Sequence, residues 1–290
     1  RMIEHLAPGS RRLGAPNPGP MTFRGTNTYL VGDRDIAVID PGPDSPEHVD
    51  AILAATDGRV ATILITHAHR DHTGAAPALA AATNAPVLAF GPADAGRSPV
   101  MARIAASGHD GGGEGVDPSF APDDTLAYGA HVSGAAWQLD VIHTPGHFAG
   151  HLSFRLGETL FSGDHVMGWS TTLISPPDGD LGAFMASTRR LQGIGLTRLW
   201  PGHGDPVTDP EARCSELLAH RMAREAQILA VLTKTPAPLE AITRSVYTDL
   251  APNLRPAAQR NVLAHLIDLI TQDRAIAVPK VAANALFARS

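Results

Sequence analysis

Residues 67–72 of this 290-residue chain read His-Ala-His-Arg-Asp-His and directly follow an apolar segment. That segment, residues 60–66, reads VATILIT, a β-branched pattern that predicts a buried strand. A dry core cannot take up three imidazoles and a carboxylate without large desolvation costs, so we expect them on a loop at the end of the strand. Imidazole nitrogen and carboxylate oxygen both suit Zn²⁺. The run therefore predicts a metal site at a sheet edge.

Three further glycine turns, each after an apolar segment, carry candidate ligands of the same kind. They are His147 in TPGH, Asp164 in SGD and His203 in PGH. Glycine lets the backbone turn sharply, so that the next side chain can face a pocket. A single histidine at a turn is usually a solvated surface residue, but together with the 67–72 run the set favours a di-metal centre that shares one carboxylate. The seven candidate ligands are His67, His69, Asp71, His72, His147, Asp164 and His203.

The rest of the pattern predicts an α/β protein with a helical appendage. Short β-branched runs alternate with alanine-rich stretches through residue 208, which is typical of layered sheets covered by helices. Residues 91–122 are rich in glycine and proline and are predicted to form a long loop. Asp209 and Pro210 predict a helix start, and two further helices and a terminal hairpin suggest a winged helix. We therefore predict a catalytic domain over residues 1–208 and a C-terminal winged-helix-like domain over residues 209–290.

Composition excludes several classes of protein. Hydrophobic residues make up 43% and charged residues 18%, which argues against a disordered or fibrous chain. No apolar run approaches the roughly 18 residues of a membrane span, and the start lacks a secretion signal, so we expect a cytoplasmic protein. Cys214 is the single cysteine, which excludes an intrachain disulfide. Residues 211–290 carry ten Lys or Arg and seven Asp or Glu, a mild excess that permits an anionic partner but is far from a duplex-DNA footprint.

The ordered motifs resemble those of the metallo-β-lactamase-fold hydrolase superfamily. The H-x-H-x-D-H run, TPGH, GD and PGH follow one another over nearly all of residues 20–210. The resemblance implies an αββα sandwich with a di-metal site at the edge between two sheets. It also implies which residues hold each ion: His67, His69 and His147 the first, Asp71, His72 and His203 the second, with Asp164 bridging.

The details of the motifs narrow the resemblance further. Aspartate at position 164 is similar to glyoxalase II, the lactonases and the RNA-cleaving phosphodiesterases, whereas one lactamase subclass has cysteine there. Arg70 within the run and the winged-helix-like tail resemble the lactamase-beta-like group 2 family, which is known for a single-strand endoribonuclease. The resemblance implies two Zn²⁺ ions, with Fe or Mn as alternatives, and a hydroxide that bridges them. Asp71 would orient the second ion and pass a proton to the leaving group.

Several functions remain open from the sequence. The expected substrate is a small-molecule ester, thioester or lactone, or a phosphodiester in single-stranded RNA. The alternatives are an endoribonuclease, a glyoxalase II-like thioesterase, a weak promiscuous β-lactamase and a non-catalytic nucleic-acid-binding protein, and a homodimer is conceivable. His151 and His165 are candidates to lock the ligand imidazoles by hydrogen bonds. Trp169 is a candidate either to stack on a substrate or simply to pack.

Overall fold

The computed structural model of the chain describes residues 3–6, 9–109, 111 and 115–290. Its first sheet has seven strands in chain order. Strands β1 to β4 pair antiparallel, and β4 to β7 pair parallel. The strands are β1 (Glu4–His5), β2 (Ser10–Gly14), β3 (Asn27–Val31), β4 (Ile36–Ile39), β5 (Val60–Leu64), β6 (Val87–Ala89) and β7 (Asp124–Thr125).

The second sheet has five strands in the order β12-β11-β10-β9-β8. Only β11 and β12 pair parallel, and the other pairs in this sheet are antiparallel. Its strands are β8 (His131–Ser133), β9 (Gln138–His143), β10 (Leu152–Leu156), β11 (Thr159–Gly163) and β12 (Arg198–Pro201). The helices of this part are α1 (Pro46–Thr56), α2 (Arg70–Thr73), α3 (Ala76–Thr83), α4 (Pro99–Ala106) and α5 (Leu181–Leu191).

Three apolar clusters stack these elements into four layers. Ile52 of α1 and Leu79 of α3 pack on the outer face of the first sheet. Tyr29 from the first sheet and Phe154 from the second meet between the two sheets. Phe184 of α5 covers the outer face of the second sheet. Because β3 and β4 are covered on both faces, every residue in them is buried. Strand β4 is accordingly continuously apolar, and β3 is apolar from Tyr29 onward after the buried polar residues Asn27 and Thr28. The prediction of an αββα sandwich is confirmed.

The C-terminal part adds three helices and a small antiparallel sheet in the order β13-β15-β14. The Asp209 carboxylate caps the first helix by accepting a hydrogen bond from the Ala212 amide at 2.9 Å. Phe287 of the small sheet is buried against the last two helices, so the predicted winged helix is confirmed. The elements are α6 (Pro210–Val231), β13 (Ala237–Pro238), α7 (Leu239–Val246), α8 (Arg255–Thr271), β14 (Ala275–Val278) and β15 (Leu286–Arg289).

Helix α6 packs on both parts of the chain. Leu217 in its first half joins the cluster on the outer face of the second sheet, and Ile228 in its second half joins the winged-helix core. The domain boundary between residues 208 and 209 therefore stays a prediction. Among the described residues, none of the helices combines the length and the apolar character that a membrane crossing needs.

The prediction of a continuous loop over residues 91–122 is wrong, because helix α4 forms within that segment. Met101 and Ile104 of this helix are buried against the C-terminal helices. The helix is only eight residues long and glycines flank it closely. The high glycine and proline content of the whole segment therefore favoured a loop over a helix. Residues 110 and 112–114 of the predicted loop lie outside the described residues. Strands β1, β2 and β13 were also missed, because each is short and none alternates clearly.

Candidate metal centre

The fold brings the strand ends that carry the candidate ligands to one edge of the sandwich. Strands β4 and β5 run parallel, so the residues after Ile39 and Leu64 emerge side by side. Strands β11 and β12 are also parallel, which places Asp164 and His203 beside each other. The 67–72 run begins as the expected loop and ends in the single turn of α2.

Three imidazoles form the first group of donors. The Nε2 atom of His67 lies 2.8 Å from Nδ1 of His69, and Nε2 of His147 lies 3.2 Å from the same nitrogen. His67 and His147 are buried. Three nitrogens that face one another at this range are a set that could hold a divalent cation.

The second group contains Asp71, His72 and His203, with Asp164 between the two groups. The Oδ2 atom of Asp71 lies 3.1 Å from Nε2 of His203 and 3.5 Å from Nε2 of His72. The Oδ2 atom of Asp164 lies 3.6 Å from the His72 nitrogen, 3.4 Å from the His203 nitrogen and 3.9 Å from Nε2 of His147. One carboxylate oxygen therefore lies within reach of donors from both groups, and all seven predicted residues come together.

Unpaired polar atoms indicate what this arrangement can bind. Among the described residues, Nε2 of His72 and Oδ1 of Asp164 are buried without a hydrogen-bond partner. A buried polar atom left unpaired costs about 1–3 kcal/mol, which a cation between these atoms would offset. Imidazole and carboxylate donors suit Zn²⁺ and also Fe and Mn. The residues thus fit two divalent ions that share Asp164.

The protonation states follow from burial and from the two carboxylates. Burial lowers the pKa of His69 to about 3 and that of His67 well below its usual value, so both are neutral imidazoles, the form that binds metal. Burial opposes protonation of His203 as well, but the Asp164 carboxylate outweighs it and raises the pKa of His203 to about 9. A cation in the second group would displace this proton and take over the charge compensation.

Asp40 fixes the orientation of the 67–72 run. One oxygen of its buried carboxylate accepts from Nδ1 of His72 at 2.9 Å and from the Thr66 hydroxyl at 2.8 Å, and the other accepts from the Thr66 amide at 2.8 Å. The Thr66 hydroxyl in turn lies 3.0 Å from Nδ1 of His67. The bond to Asp40 keeps a proton on Nδ1 of His72, so Nε2 is the nitrogen that faces the site and that a cation would bind in place of a proton. Sequence reasoning missed Asp40. Its signal was a carboxylate directly after a buried strand beside the strand that ends in the cluster.

Backbone carbonyls orient two other imidazoles in the same manner. His147 donates from Nδ1 to the Leu173 carbonyl at 2.7 Å, and His203 donates from Nδ1 to the Gly25 carbonyl at 3.2 Å. Each bond turns the Nε2 atom of the ring towards the site. The segments around residues 25 and 173 are therefore part of the frame of the site.

The two histidines proposed as supports differ in their roles. Nε2 of His151 accepts a hydrogen bond from the Asp164 amide at 3.2 Å, so His151 holds Asp164 through the main chain of that residue. Its ring also stacks on that of His67, with 5.2 Å between centroids. His165 turns away and lies 3.2 Å from the Thr188 hydroxyl. Close packing also explains the glycine before Asp164, because a Cβ at Gly163 would lie 2.6 Å from Nε2 of His151.

Helix α6 holds the segment that follows Asp164. Arg213 donates to the carbonyls of Met167 at 2.8 Å and Ser170 at 2.7 Å. Buried Arg221 donates to the carbonyls of Thr171, at 2.7 Å, and of Thr172. Since the next carbonyl along, that of residue 173, accepts from His147, helix α6 supports the candidate metal site from outside.

A cavity of about 300 Å³ lies in front of the seven residues. Met21, Val116 and Leu173 give it apolar walls, and Arg260 of α8 closes it from the C-terminal domain. Trp169 does not line this cavity and instead stacks on Phe23.

An αββα sandwich with clustered histidines and aspartates at one edge, and a winged helix behind it, defines a class of metal-dependent hydrolases. Residues 21–203 match the metallo-beta-lactamase superfamily, and residues 239–280 match the beta-lactamase associated winged helix domain. The chain therefore belongs to the metallo-beta-lactamase superfamily and is a hydrolase of that superfamily.

Relatives and solved structures agree with this assignment. The chain is 34% identical to a "Beta-lactamase-like protein 2 homolog" of Caenorhabditis elegans, over 90% of this chain and 83% of the relative. It is 31% identical to an "Atrochrysone carboxyl ACP thioesterase" of Aspergillus chevalieri, over 80% and 68%. A metallo-beta-lactamase family protein from Thermus thermophilus superposes with a TM-score of 0.77 at 25% identity, covering 99% of this chain and all of that one. TTHA1623 in a di-iron-bound form superposes with a TM-score of 0.52 at 32% identity, covering 70% and 98%.

Proposed function

We propose that the protein is a dinuclear metal hydrolase that cleaves thioesters of small molecules. The observation that carries the dinuclear site is Oδ2 of Asp164, which lies within 4 Å of nitrogens from both donor groups. His67, His69 and His147 would hold one ion, and Asp71, His72 and His203 would hold the other. Zinc suits these donors, and iron is the alternative supported by the di-iron form of a similar protein.

In the proposed mechanism the chain positions the reactants and controls protons. Two bound ions would supply Lewis acidity and lower the pKa of a water molecule towards about 7. Burial alone would raise the pKa of Asp71, but His72 and His203 outweigh it and hold that pKa below its usual range, so this carboxylate is an acceptor. A quarter of the Asp71 side chain is exposed to the cavity, where it would accept a proton from the reacting water and then pass that proton to the departing thiolate.

Two lines of support favour a thioester over the other substrates. A relative that covers most of this chain is named an acyl-carrier-protein thioesterase. Met21, Val116 and Leu173 give the cavity an apolar surface next to the donors, which suits an acyl group. Arg70 and Arg260 on the same walls would suit a negative charge elsewhere on the substrate. Single-stranded RNA is the rival substrate, because the sequence motifs resemble a family known for a single-strand endoribonuclease and the chain carries a winged helix.

A substrate panel with the metal-loaded protein tests the proposal. Thiol release from acyl thioesters should require metal, stop with chelator and return when Zn²⁺ or Fe²⁺ is added back. Lactones, a cephalosporin and single-stranded RNA form the comparison set. Asp164→Asn should lose one ion per chain by elemental analysis and nearly all thioester turnover, whereas Asp123→Asn, outside the site, should keep both. Cleavage of RNA with no thioester turnover would overturn the thioester assignment.

Localisation and assembly are further parts of the proposal. A cytoplasmic location is supported by the single buried cysteine, Cys214, which is consistent with a reducing compartment. A homodimer stays a prediction that light scattering can measure.

A further inference from the structure

We propose that residues 17–25, here called the rim loop, form the binding site for the acyl chain of the substrate. This inference rests on the proposed thioesterase function and adds the class of acyl group, an extended apolar chain. Met21 and Thr22 of the rim loop line the cavity in front of the metal ligands. Met21 is 59% exposed and Phe23 is 41% exposed, so an apolar surface leads from the cavity towards solvent.

The rim loop is fixed, so its exposed apolar side chains are held in place at the cavity. The Thr22 hydroxyl donates to the Asn17 carbonyl at 2.5 Å, and the Gly25 amide donates to the Thr22 carbonyl at 2.8 Å. The Gly25 carbonyl in turn accepts from the ligand His203. The apolar surface is therefore tied directly to the metal centre.

Phe23 has an unusual backbone conformation for a residue with a side chain. Its φ of +54° lies in the left-handed region, which is unfavourable for a side chain with a Cβ atom. Its ring stacks on Trp169 at 5.1 Å between centroids and 15° between planes, yet much of it stays exposed. Strained residues cluster at sites where function fixes the backbone, and here the strain keeps an aromatic surface beside the cavity.

Charge on the rim loop favours an apolar occupant over a nucleic acid. Arg24, the cation of this loop, forms an ion pair with Asp205 and lies over the Phe23 ring at 5.0 Å. Arg24 is thus paired with a carboxylate, so the surface that the rim loop itself presents is mainly apolar. A neutral alkyl chain gains from each methylene that leaves water, at about 0.8 kcal/mol per CH₂.

The test compares acyl chain lengths on a neutral carrier. Acetyl, hexanoyl and dodecanoyl thioesters of N-acetylcysteamine are assayed with the metal-loaded protein. We expect kcat/KM to rise with chain length. Met21→Gln keeps the length of the side chain, and Phe23→Gly keeps the backbone, because glycine accepts this φ. In each variant the dodecanoyl-to-acetyl ratio of kcat/KM should fall by about tenfold. Tyr128→Gln removes an exposed aromatic that does not line the cavity, and it should leave the ratio unchanged.

The outcomes separate the acyl site from the proposed function. Thioester turnover that is flat with chain length, or a ratio that both variants retain, would overturn the acyl site and leave thioesterase activity standing. Absence of all thioester turnover would overturn the proposed function instead. In that case calorimetric titration with dodecyl N-acetylcysteamine thioether decides: binding that Met21→Gln removes supports the acyl site, and no binding to the unmodified protein refutes it.

Discussion

Replacing Asp40 by asparagine should weaken metal binding without touching a metal ligand. The carboxylate accepts three hydrogen bonds, two from Thr66 and one from Nδ1 of His72. Asparagine retains one oxygen, which can still accept from the Thr66 amide. Its NH₂ group then faces the Thr66 hydroxyl and His72, and it can donate to Nδ1 only if the imidazole proton moves to Nε2. That nitrogen faces Asp71 and Asp164 and would be blocked from binding a cation.

The magnitude follows from the bonds that Asp40 makes. Loss of a hydrogen-bond partner around a metal-ligating histidine typically costs about 10–100-fold in affinity, which is about 1.4–2.7 kcal/mol. Excess metal stabilises the folded chain in proportion to the logarithm of its affinity, so the metal-dependent gain in unfolding free energy should shrink by that amount. The metal-free protein should also lose about 1–3 kcal/mol, because a buried donor is left poorly paired.

Chelator competition and urea unfolding, each with and without metal, measure the two effects separately. Asp123→Asn is the control, because the Asp123 carboxylate also accepts from a backbone amide, that of Val87 at 2.8 Å, but lies outside the site. We expect this variant to bind metal as the unmodified protein does. If Asp40→Asn binds two ions with unchanged affinity, the argument that Asp40 sets the tautomer of His72 is wrong.

Three further changes test other parts of the structure. Arg221→Met removes the bonds to the carbonyls of residues 171 and 172 and should weaken metal binding by about tenfold in chelator competition, whereas Arg224→Met on the same helix should not. Burial, with help from Glu225 and Asp180, raises the pKa of Asp268 from 3.8 to about 6, so stability falls as the pH rises between these two values and the full loss persists at higher pH. Asp268→Asn should therefore raise Tm at pH 7.5, and equal Tm values at that pH would contradict the shift. Phe154→Ala empties a fully buried position between the sheets and should cost about 3–5 kcal/mol in urea unfolding.

The donors of the metal centre were predictable because their spacing reflects the topology. His67 closely follows a buried strand, and glycine turns precede Asp164 and His203. Because β4 pairs parallel with β5 and β11 with β12, these strand ends meet at one edge of the sandwich. All of the predicted ligands approach one another in the structure. Their roles in binding metal remain a proposal that elemental analysis of the variants tests.

The supports of the site were less predictable, since they act through backbone groups. The carbonyls of Gly25 and Leu173 orient His203 and His147, and a carbonyl carries no signal of its own in a sequence. The Asp40 carboxylate was evident from the sequence, but Pro41 follows it, so the residue was interpreted as part of a turn. Its role depends on the parallel pairing of β4 with β5, a contact over more than twenty positions of sequence.

The structure shows what several of the basic residues in the C-terminal part of the chain contact. Its mild excess of basic residues permitted an anionic partner. Arg213 and Arg221 instead turn inward to backbone carbonyls beside the site, and Arg274 forms an ion pair with Glu225. Arg274 is thus paired with a carboxylate, and the two arginines of α6 are occupied by carbonyls of the segment between Asp164 and Leu173. We therefore expect helix α6 to influence the candidate metal site by holding this segment, and Arg221→Met tests that role.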